Sequence, residues 1–324
     1  MITSINKIIY ILNLFLKSKK IFSKPKKKKF IIIDQRHLLH VKGFIKDLIK
    51  KSDLNILPIR GEEINIYVLL YSFYKFNIDP KNIQLNYIIS YIYLSQAKCC
   101  ITLNHTRILF YKLKEYHKKL ITISLQNGHI HVNDKYYKFS NELKKQKNKL
   151  KADYIFTQSK FFEEKFFKKY IDAKYFDIGS YRNNYYLKKI KLKKNVISFI
   201  SQFRFHLHTK KSLLKGGFYD TEKKILPLIY NFCKKNKFRL EILGSEWDEE
   251  REKNFYKSIL YNNDWVFHKR TSQNKSYNFT DTSELNIFVD SNLGFESLAR
   301  GNKTVSFNFR KSWNKSYYKW NLDF

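Results

Sequence analysis

Cysteine is scarce in this chain: three residues in 324, two of them the adjacent Cys99 and Cys100. That is too few for a disulfide framework or a four-cysteine zinc site, and it fits a reducing, cytoplasmic setting. Four prolines and nine glycines exclude collagen-like and low-complexity classes. No apolar run reaches the roughly 18 residues that a membrane-spanning helix needs. Acidic residues are few, 28 against 63 basic ones, which leaves a net charge of +35. Arginine is short as well, with 10 residues against 53 lysines. Recognition of nucleic acid leans on the planar arginine fork, so no specific nucleic-acid partner is expected. The GxGxxG, Walker A, HExxH and GxSxG patterns do not occur, so dehydrogenases, P-loop kinases, zincins and serine hydrolases gain no support. What is present is ordinary globular chemistry, 43% hydrophobic and 28% charged, enough for two domains at about 150 residues each. The favoured Lys, Ile, Asn, Phe and Tyr all have A/T-rich codons, so genome composition accounts for part of the bias. The charge nevertheless attracts anionic lipid surfaces and phosphate-bearing substrates.

Residues 1–29 hold a short apolar run, Ile8–Leu16, and then eight lysines between Lys17 and Lys29. Two readings stand: a first helix followed by a solvated tail, or a segment lying on an anionic cytoplasmic leaflet. From Phe30 onward, apolar runs alternate with amphipathic stretches. Expected strands are Phe30–Asp34, Leu54–Arg60, Ala97–Leu103, Leu120–Leu125, Asp153–Thr157 and Lys174–Ile178. Expected helices are Val41–Lys51, Glu63–Phe76, Leu85–Gln96, Arg107–His117 and Ser159–Tyr170. After a lysine-rich linker, Tyr185–Lys194, the alternation restarts with strands Val196–Ile200, Phe238–Leu243, Leu285–Val289 and Thr304–Phe309. Helices at Thr221–Asn236, Asp248–Tyr261 and Gly294–Arg300 separate them. This pattern predicts an α/β fold of two Rossmann-like domains, 30–188 and 189–324, facing across a cleft. Ligands of such sheets bind at the carboxyl ends of the strands.

The sharpest strand end is Val289 to Gly301 (VDSNLGFESLARG). A buried strand closes in Asp290-Ser291, Gly294 follows, and Glu296 falls in the first turn of the expected helix. Helix-start N–H groups suit a phosphate, Gly294 permits close backbone approach, and Glu296 has the chemistry to accept ribose hydroxyls. The plain alternative is an N-cap at Ser291, with Glu296 complementing the dipole.

The segment VDSNLGFESLARGNKTVSFNFR resembles the nucleotide-sugar signature of the C-terminal domain of GT-B glycosyltransferases. More narrowly, it resembles bacterial surface carbohydrate biosynthesis proteins that make O-antigen or capsule-type polymers. SLQNGH (Ser124–His129), KADYIFTQSKFFEEKF (Lys151–Phe166), FDIGSYRNN (Phe176–Asn184) and VISFISQFR (Val196–Arg204) fit the same resemblance, in order. It implies a glycosyltransferase with two Rossmann-like domains, peripheral at most on the inner face of the membrane. A nucleotide-sugar donor is held mainly by the second domain, the acceptor is a glycan or lipid-linked, and neither cofactor nor metal is required. Carried onto this chain, the donor-side residues are Asp290, Ser291, Gly294 and Glu296. The chain stops fifteen residues after the last expected strand, short of the helices that cross back in GT-B chains, so a truncated second domain is expected.

Other residues are read from their own positions. Arg204, at the end of the strand Val196–Ile200, is suited to clamp donor phosphates. Gln126, Asn127 and Gly128 close an acceptor-side strand. His129 follows as the preferred base for an acceptor hydroxyl, with His105 second and His131 and Asp134 nearby. His206 and His208 have no matching ligands at metal spacing. Trp247, Trp265, Trp313 and Trp320 are either sugar-stacking or core residues, and Cys99-Cys100 is packing. Two rival enzymes share the architecture, a CDP-polyol phosphotransferase and a nucleotide-sugar 2-epimerase. From another class comes a basic, non-catalytic nucleic-acid- or membrane-binding protein.

Overall fold

The computed structural model describes residues 15–309, except 35–37, 39–46, 77–81, 129–141, 147, 187–194, 204–218, 246–247, 263, 270–272 and 308. The chain divides into two compact units, Met1–Tyr185 and Tyr186–Phe324, where the sequence had suggested a boundary after residue 188.

In chain order, the N-terminal unit contains β1 (Lys19–Ile21), β2 (Phe30–Ile33), β3 (Leu54–Leu57), β4 (Glu63–Asn65), α1 (Ile66–Phe76) and α2 (Ile83–Ser95). Then follow β5 (Cys99–Thr102), α3 (Ile108–Tyr111), α4 (Leu113–Tyr116), β6 (Ile121–Leu125), β7 (Leu150–Thr157), β8 (Ile171–Asp177) and α5 (Tyr181–Tyr185). Six strands pair in parallel in the order β3-β2-β5-β6-β7-β8. Both faces are apolar because both are covered. Ile31, Ile33 and Cys100 enter one core, while Ile32, Cys99 and Ile101 enter the other. Burial pushes the Cys99 thiol up to about 11 and Cys100 well above its ordinary value, so both are packed and unreactive at neutral pH.

The C-terminal unit contains β9 (Val196–Ile200), α6 (Asp220–Lys235), β10 (Arg239–Leu243), α7 (Glu249–Lys257), β11 (Val266–His268), α8 (Gln273–Thr282), β12 (Leu285–Phe288), α9 (Asn292–Ala299) and β13 (Thr304–Ser306). Its strands run parallel in the order β11-β10-β9-β12-β13 around Phe199, Ile242 and Ile287.

Several expectations change. The lysine-rich stretch is not a free tail: Lys19–Ile21 pairs in parallel with Glu63–Asn65, and Ser18 and Pro25 are buried. That pairing takes the first three residues of the helix expected at Glu63–Phe76. Asn65 then caps the remainder, its Oδ1 accepting the Val68 N–H at 3.0 Å. The helix expected at Arg107–His117 is two short pieces, and the one at Ser159–Tyr170 carries a π turn over Glu163–Phe167. β11 and α8 had no counterpart in the sequence reading. Ile8–Asn13 and most of Val41–Lys51 lie outside the described residues.

Candidate functional site

In the C-terminal sheet the chain order reverses between β9 and β12, and the carboxyl ends of such neighbouring strands are where sheets of this kind bind ligands. The residues there are Ser201–Phe203 and Val289–Ser291. The two loops are tied together, since the Asp290 N–H donates to Gln202 Oε1 at 3.3 Å. Behind them sits Glu252 of α7, fully buried. Its carboxylate accepts the Ser201 hydroxyl, and the Ser245 N–H lies 2.9 and 3.0 Å from its two oxygens. The Tyr256 hydroxyl donates to Ser201 Oγ at 2.6 Å. Burial, then the Glu252 charge, pushes the Tyr256 phenol up. Glu252 thus fixes the ends of β9 and β10; the sequence showed it only as one acid among several on a polar helix.

The helix after β12 starts at Asn292, two residues before the expected start, which moves Glu296 from the first turn to the second. Ser291 occupies the N-cap with extended backbone, but its hydroxyl makes no cap hydrogen bond. The first-turn N–H groups are therefore not satisfied by the side chain that ordinarily does so.

Gly294 has a different reason from the one expected. A Cβ built there would stand 2.2 Å from Phe288 Cγ, so the Phe288 ring of β12 packs flat against the helix backbone. The glycine serves internal packing between strand and helix. Gly294→Ala should therefore destabilise the C-terminal unit by about 1–3 kcal/mol, since overpacking outweighs the roughly 1 kcal/mol that alanine gains in a helix. Chemical denaturation measures this, and combining it with Phe288→Leu should recover part of the loss. A Gly294→Ala chain as stable as the parent would remove the packing explanation.

Glu296 is buried, 7% exposed, and accepts the Tyr277 hydroxyl at 2.6 Å. It belongs to a polar network under α9. Arg300 Nε donates to Asp281 Oδ1 at 2.8 Å, and Nη1 donates to the Tyr186 carbonyl at 2.7 Å. The Arg300 guanidinium lies 4.8 Å from the Tyr277 ring centroid. Asn302 Nδ2 joins Asp281 Oδ1 at 2.9 Å and Ser297 Oγ at 3.2 Å. The expectation that Glu296 lies outside the core is corrected: it is a buried member of this network at the same strand end.

In the N-terminal sheet the reversal lies between β2 and β5. At the end of β2, Asp34 is fully buried in left-handed backbone (φ 72°). Arg60, after β3, grips it through Nε at 2.9 Å and Nη2 at 2.6 Å, and Arg107, after β5, stands at 3.5 Å. Two half-buried guanidiniums share one carboxylate, and Glu62, whose Oε2 accepts the Arg60 N–H at 2.9 Å, adds a second acid beside them. Burial and then, against the pull of Asp34, the Arg60 charge hold the Arg107 guanidinium below its ordinary pKa. The strand-closing acid Asp34 and Arg60 were visible in the sequence, but their pairing was not.

His105 is buried, and its Nδ1 accepts the Asn127 N–H at 3.2 Å. Its ring meets Phe167 edge-on, and its carbonyl accepts the Tyr111 hydroxyl at 2.9 Å. His105 thus braces the β6 loop, with the Nδ1 lone pair that a base would use engaged by the Asn127 N–H. The same loop is fixed by Gln126 Nε2 on the Gly128 carbonyl (3.0 Å), by the Gln158 N–H on Gln126 Oε1 (2.9 Å) and by Arg182 on the Asn127 carbonyl (2.6 Å). Gln126, Asn127 and Gly128 thus stand where expected, at the end of β6, as a rigid turn. His129, His131, Asp134, Arg204, His206, His208, Trp247, Trp313 and Trp320 lie outside the described residues. Trp265 is a core residue. Among the described residues no three His, Cys, Asp or Glu side chains gather at metal-binding distance.

A sequence profile of O-antigen biosynthesis proteins matches residues 123–324. The chain belongs to the O-antigen biosynthesis protein family. No curated protein matches it. Among solved structures, MnaA of S. aureus in a co-structure with UDP shares 12% identity over 89% of this chain and 81% of that one, with a TM-score of 0.52. UDP-GlcNAc 2-epimerase of Neisseria meningitidis bound to UDP-GlcNAc shares 11% over 90% and 85%, with a TM-score of 0.51. The Methanocaldococcus jannaschii enzyme of that name, in complex with UDP-GlcNAc and UDP, shares 10% over 89% and 86%, at 0.52. At such identities the likeness is one of fold: this family member has the two Rossmann-like units of GT-B enzymes. Among the described residues no helix is long and apolar enough to cross a membrane.

Proposed function

We propose that the chain is a glycosyltransferase of surface-polysaccharide assembly. It takes a sugar from a nucleotide-activated donor held by the C-terminal unit and passes it to a glycan or lipid-linked acceptor on the N-terminal unit. The observation that carries the donor side is the end of β12. A helix start at which the Ser291 side chain makes no cap bond follows Asp290-Ser291 at the strand-order reversal, with the Glu296 carboxylate one turn further in. Membership of the O-antigen family and a fold shared with proteins bound to UDP and UDP-GlcNAc support it.

In the reaction an acceptor oxygen attacks the anomeric carbon, the bond from that carbon to the donor phosphate breaks, and the nucleotide leaves with the bonding pair. The helix start and Arg204 are assigned to the charge growing on the leaving phosphate, and His129 to the acceptor proton. The Arg60–Asp34–Arg107 cluster suits a phosphate-bearing, lipid-linked acceptor. Such an acceptor would bring the enzyme to the cytoplasmic face of the membrane.

The fold is equally that of 2-epimerases, which convert the donor alone. Epimerisation at carbon moves a C–H proton and needs titratable groups at the sugar. Conversion of the donor in the absence of any acceptor would identify an epimerase, whereas transfer requires the acceptor.

The experiment is a thermal-shift panel of UDP, GDP, CDP, CMP and dTDP species, on the parent and on Glu296→Gln. One nucleotide class should raise the melting temperature by mass action. Glu296→Gln keeps size and a hydrogen-bond acceptor for Tyr277, so the fold should hold while nucleotide affinity falls by about 1–3 kcal/mol. No response to any nucleotide would overturn the donor site; an unchanged affinity in Glu296→Gln would remove Glu296 from it.

A further inference from the structure

On the N-terminal unit, α1 presents an unusual outer face. Of its eleven residues (IYVLLYSFYKF) only Lys75 is charged. At about 100° per residue, Tyr67, Leu70, Tyr71 and Tyr74 fall on one stripe. Leu70 is 62% and Tyr74 87% exposed, while Val68 and Ser72 are buried on the opposite side. Tyr93 of α2 extends the stripe: it stacks on Tyr71, with ring centroids 6.0 Å apart, and carries the Lys75 ammonium 3.8 Å from its own centroid. The cation thus rests on an aromatic ring beside an apolar surface, the placement of a side chain whose charge reaches out from a buried stem.

The lysine-rich stretch adjoins this face. β1 pairs in register with β4, Ile21 level with Asn65, and Asn65 caps α1. Its amide also holds the Ser23 carbonyl at 2.9 Å. Phe22 therefore emerges beside the start of α1, and it is 72% exposed, as is Leu16. Lys17, Lys19, Lys24, Lys26, Lys27 and Lys29, in the same stretch, are all exposed. Among the described residues only Lys19 of these six meets a carboxylate, Glu63 at 3.5 Å. An apolar hollow of about 190 Å³, lined by Phe15, Ile59, Ile64, Leu69 and Tyr87, lies between β4, α1 and α2. Large exposed apolar side chains gathered in one place mark an interaction surface. Exposed tyrosines and a leucine on a helix without an acid, adjoined by a stretch of exposed lysines, match one partner in both polarity and charge.

We propose that this face docks the N-terminal unit on an anionic lipid bilayer. Tyr67, Leu70, Tyr74 and Phe22 enter the headgroup–acyl boundary, and the Lys17–Lys29 lysines sit over the anionic headgroups. The surface lies wholly in one unit and does not depend on the transferase reading.

The test is sedimentation of the full chain with vesicles of phosphatidylcholine alone and of phosphatidylcholine mixed with phosphatidylglycerol. Binding should require phosphatidylglycerol and weaken at high salt, because the charge contribution is screened. Replacing Lys24, Lys26 and Lys27 by Gln should weaken it about a hundredfold, at roughly tenfold per 1.4 kcal/mol and about 1 kcal/mol per lysine. Leu70→Ser with Tyr74→Ser should weaken it tenfold or more, while Tyr261→Ser, an equally exposed site in the other unit, should leave it unchanged. All variants alter exposed side chains, and unchanged melting temperatures and nucleotide responses would show the fold and the donor site intact. The proposal fails if the chain ignores anionic vesicles. It also fails if Leu70→Ser with Tyr74→Ser binds as the parent does, because lysine charge alone would then account for adsorption, as to any polyanion such as RNA.

Discussion

Asp281→Ala is expected to cost the C-terminal unit about 3–5 kcal/mol, because it strands a buried arginine. Asp281 is fully buried, and the Arg300 side chain is 5% exposed. The carboxylate receives the guanidinium through Nε at 2.8 Å and through Nη2, and it takes Asn302 Nδ2 at 2.9 Å as well. Without it, the guanidinium loses its carboxylate, while the Tyr186 carbonyl and the face of Tyr277 supply no countercharge. Neutralising the guanidinium is no escape: the Asp281 hydrogen bond holds its pKa above even the high ordinary value, and arginine does not give up its proton in proteins. The consequence reaches the proposed donor site, since the network sits under α9 and includes the partner of Glu296. Denaturant titration gives the loss. Asp281→Ala with Arg300→Met should recover most of it, because the unpaired charge goes with the arginine. An Asp281→Ala chain within 1 kcal/mol of the parent would show that the pair is dispensable to the unit.

Replacing His129 by Ala should lower sugar transfer by about 10²–10⁴-fold, the usual contribution of a positioned proton acceptor. The structure sharpens the choice of residue. His105, the other candidate, spends its Nδ1 lone pair on the Asn127 N–H in a buried site. The turn that leads to His129 is meanwhile fixed by the Arg182 and Gln158 donors on Asn127 and Gln126, by Gln126 Nε2 on the Gly128 carbonyl, and by the Asn127 N–H donated to His105. A base is efficient when its support is rigid. Donor binding in the nucleotide thermal-shift panel should be unaffected, because the nucleotide belongs to the other unit in this reading. Full turnover in His129→Ala would remove the histidine from the reaction and leave the donor assignment standing. His105→Ala is instead expected to act through the fold, with a lower melting temperature that a base alone would not produce.

The sequence by itself determined the parallel strands that carry the sheets. FIII, CCIT and VISFI are unbroken apolar runs because central parallel strands are buried on both faces, and each became a strand. It also determined the restart of the alternation after the lysine-rich linker, and the strand end at Asp290-Ser291. Tertiary structure decided what local pattern does not encode. α8 reads QNKSYNFTDT, without an apolar stripe, because what it buries is Tyr277, Thr280 and Asp281, held by polar partners some twenty residues away in sequence. Glu63–Asn65 suits a helix by spacing and becomes a strand because β1, more than forty residues earlier, supplies a partner. Gly294 reads as a loop glycine that bares its backbone, but the Phe288 ring fills that space. Glu252 and Asp34 read as ordinary acids and Glu296 as an accessible ligand contact, yet folding buries each against donors from other elements. Period and propensity are properties of neighbours in sequence. The satisfaction of a buried charge is a property of neighbours in space, and only the fold supplies those.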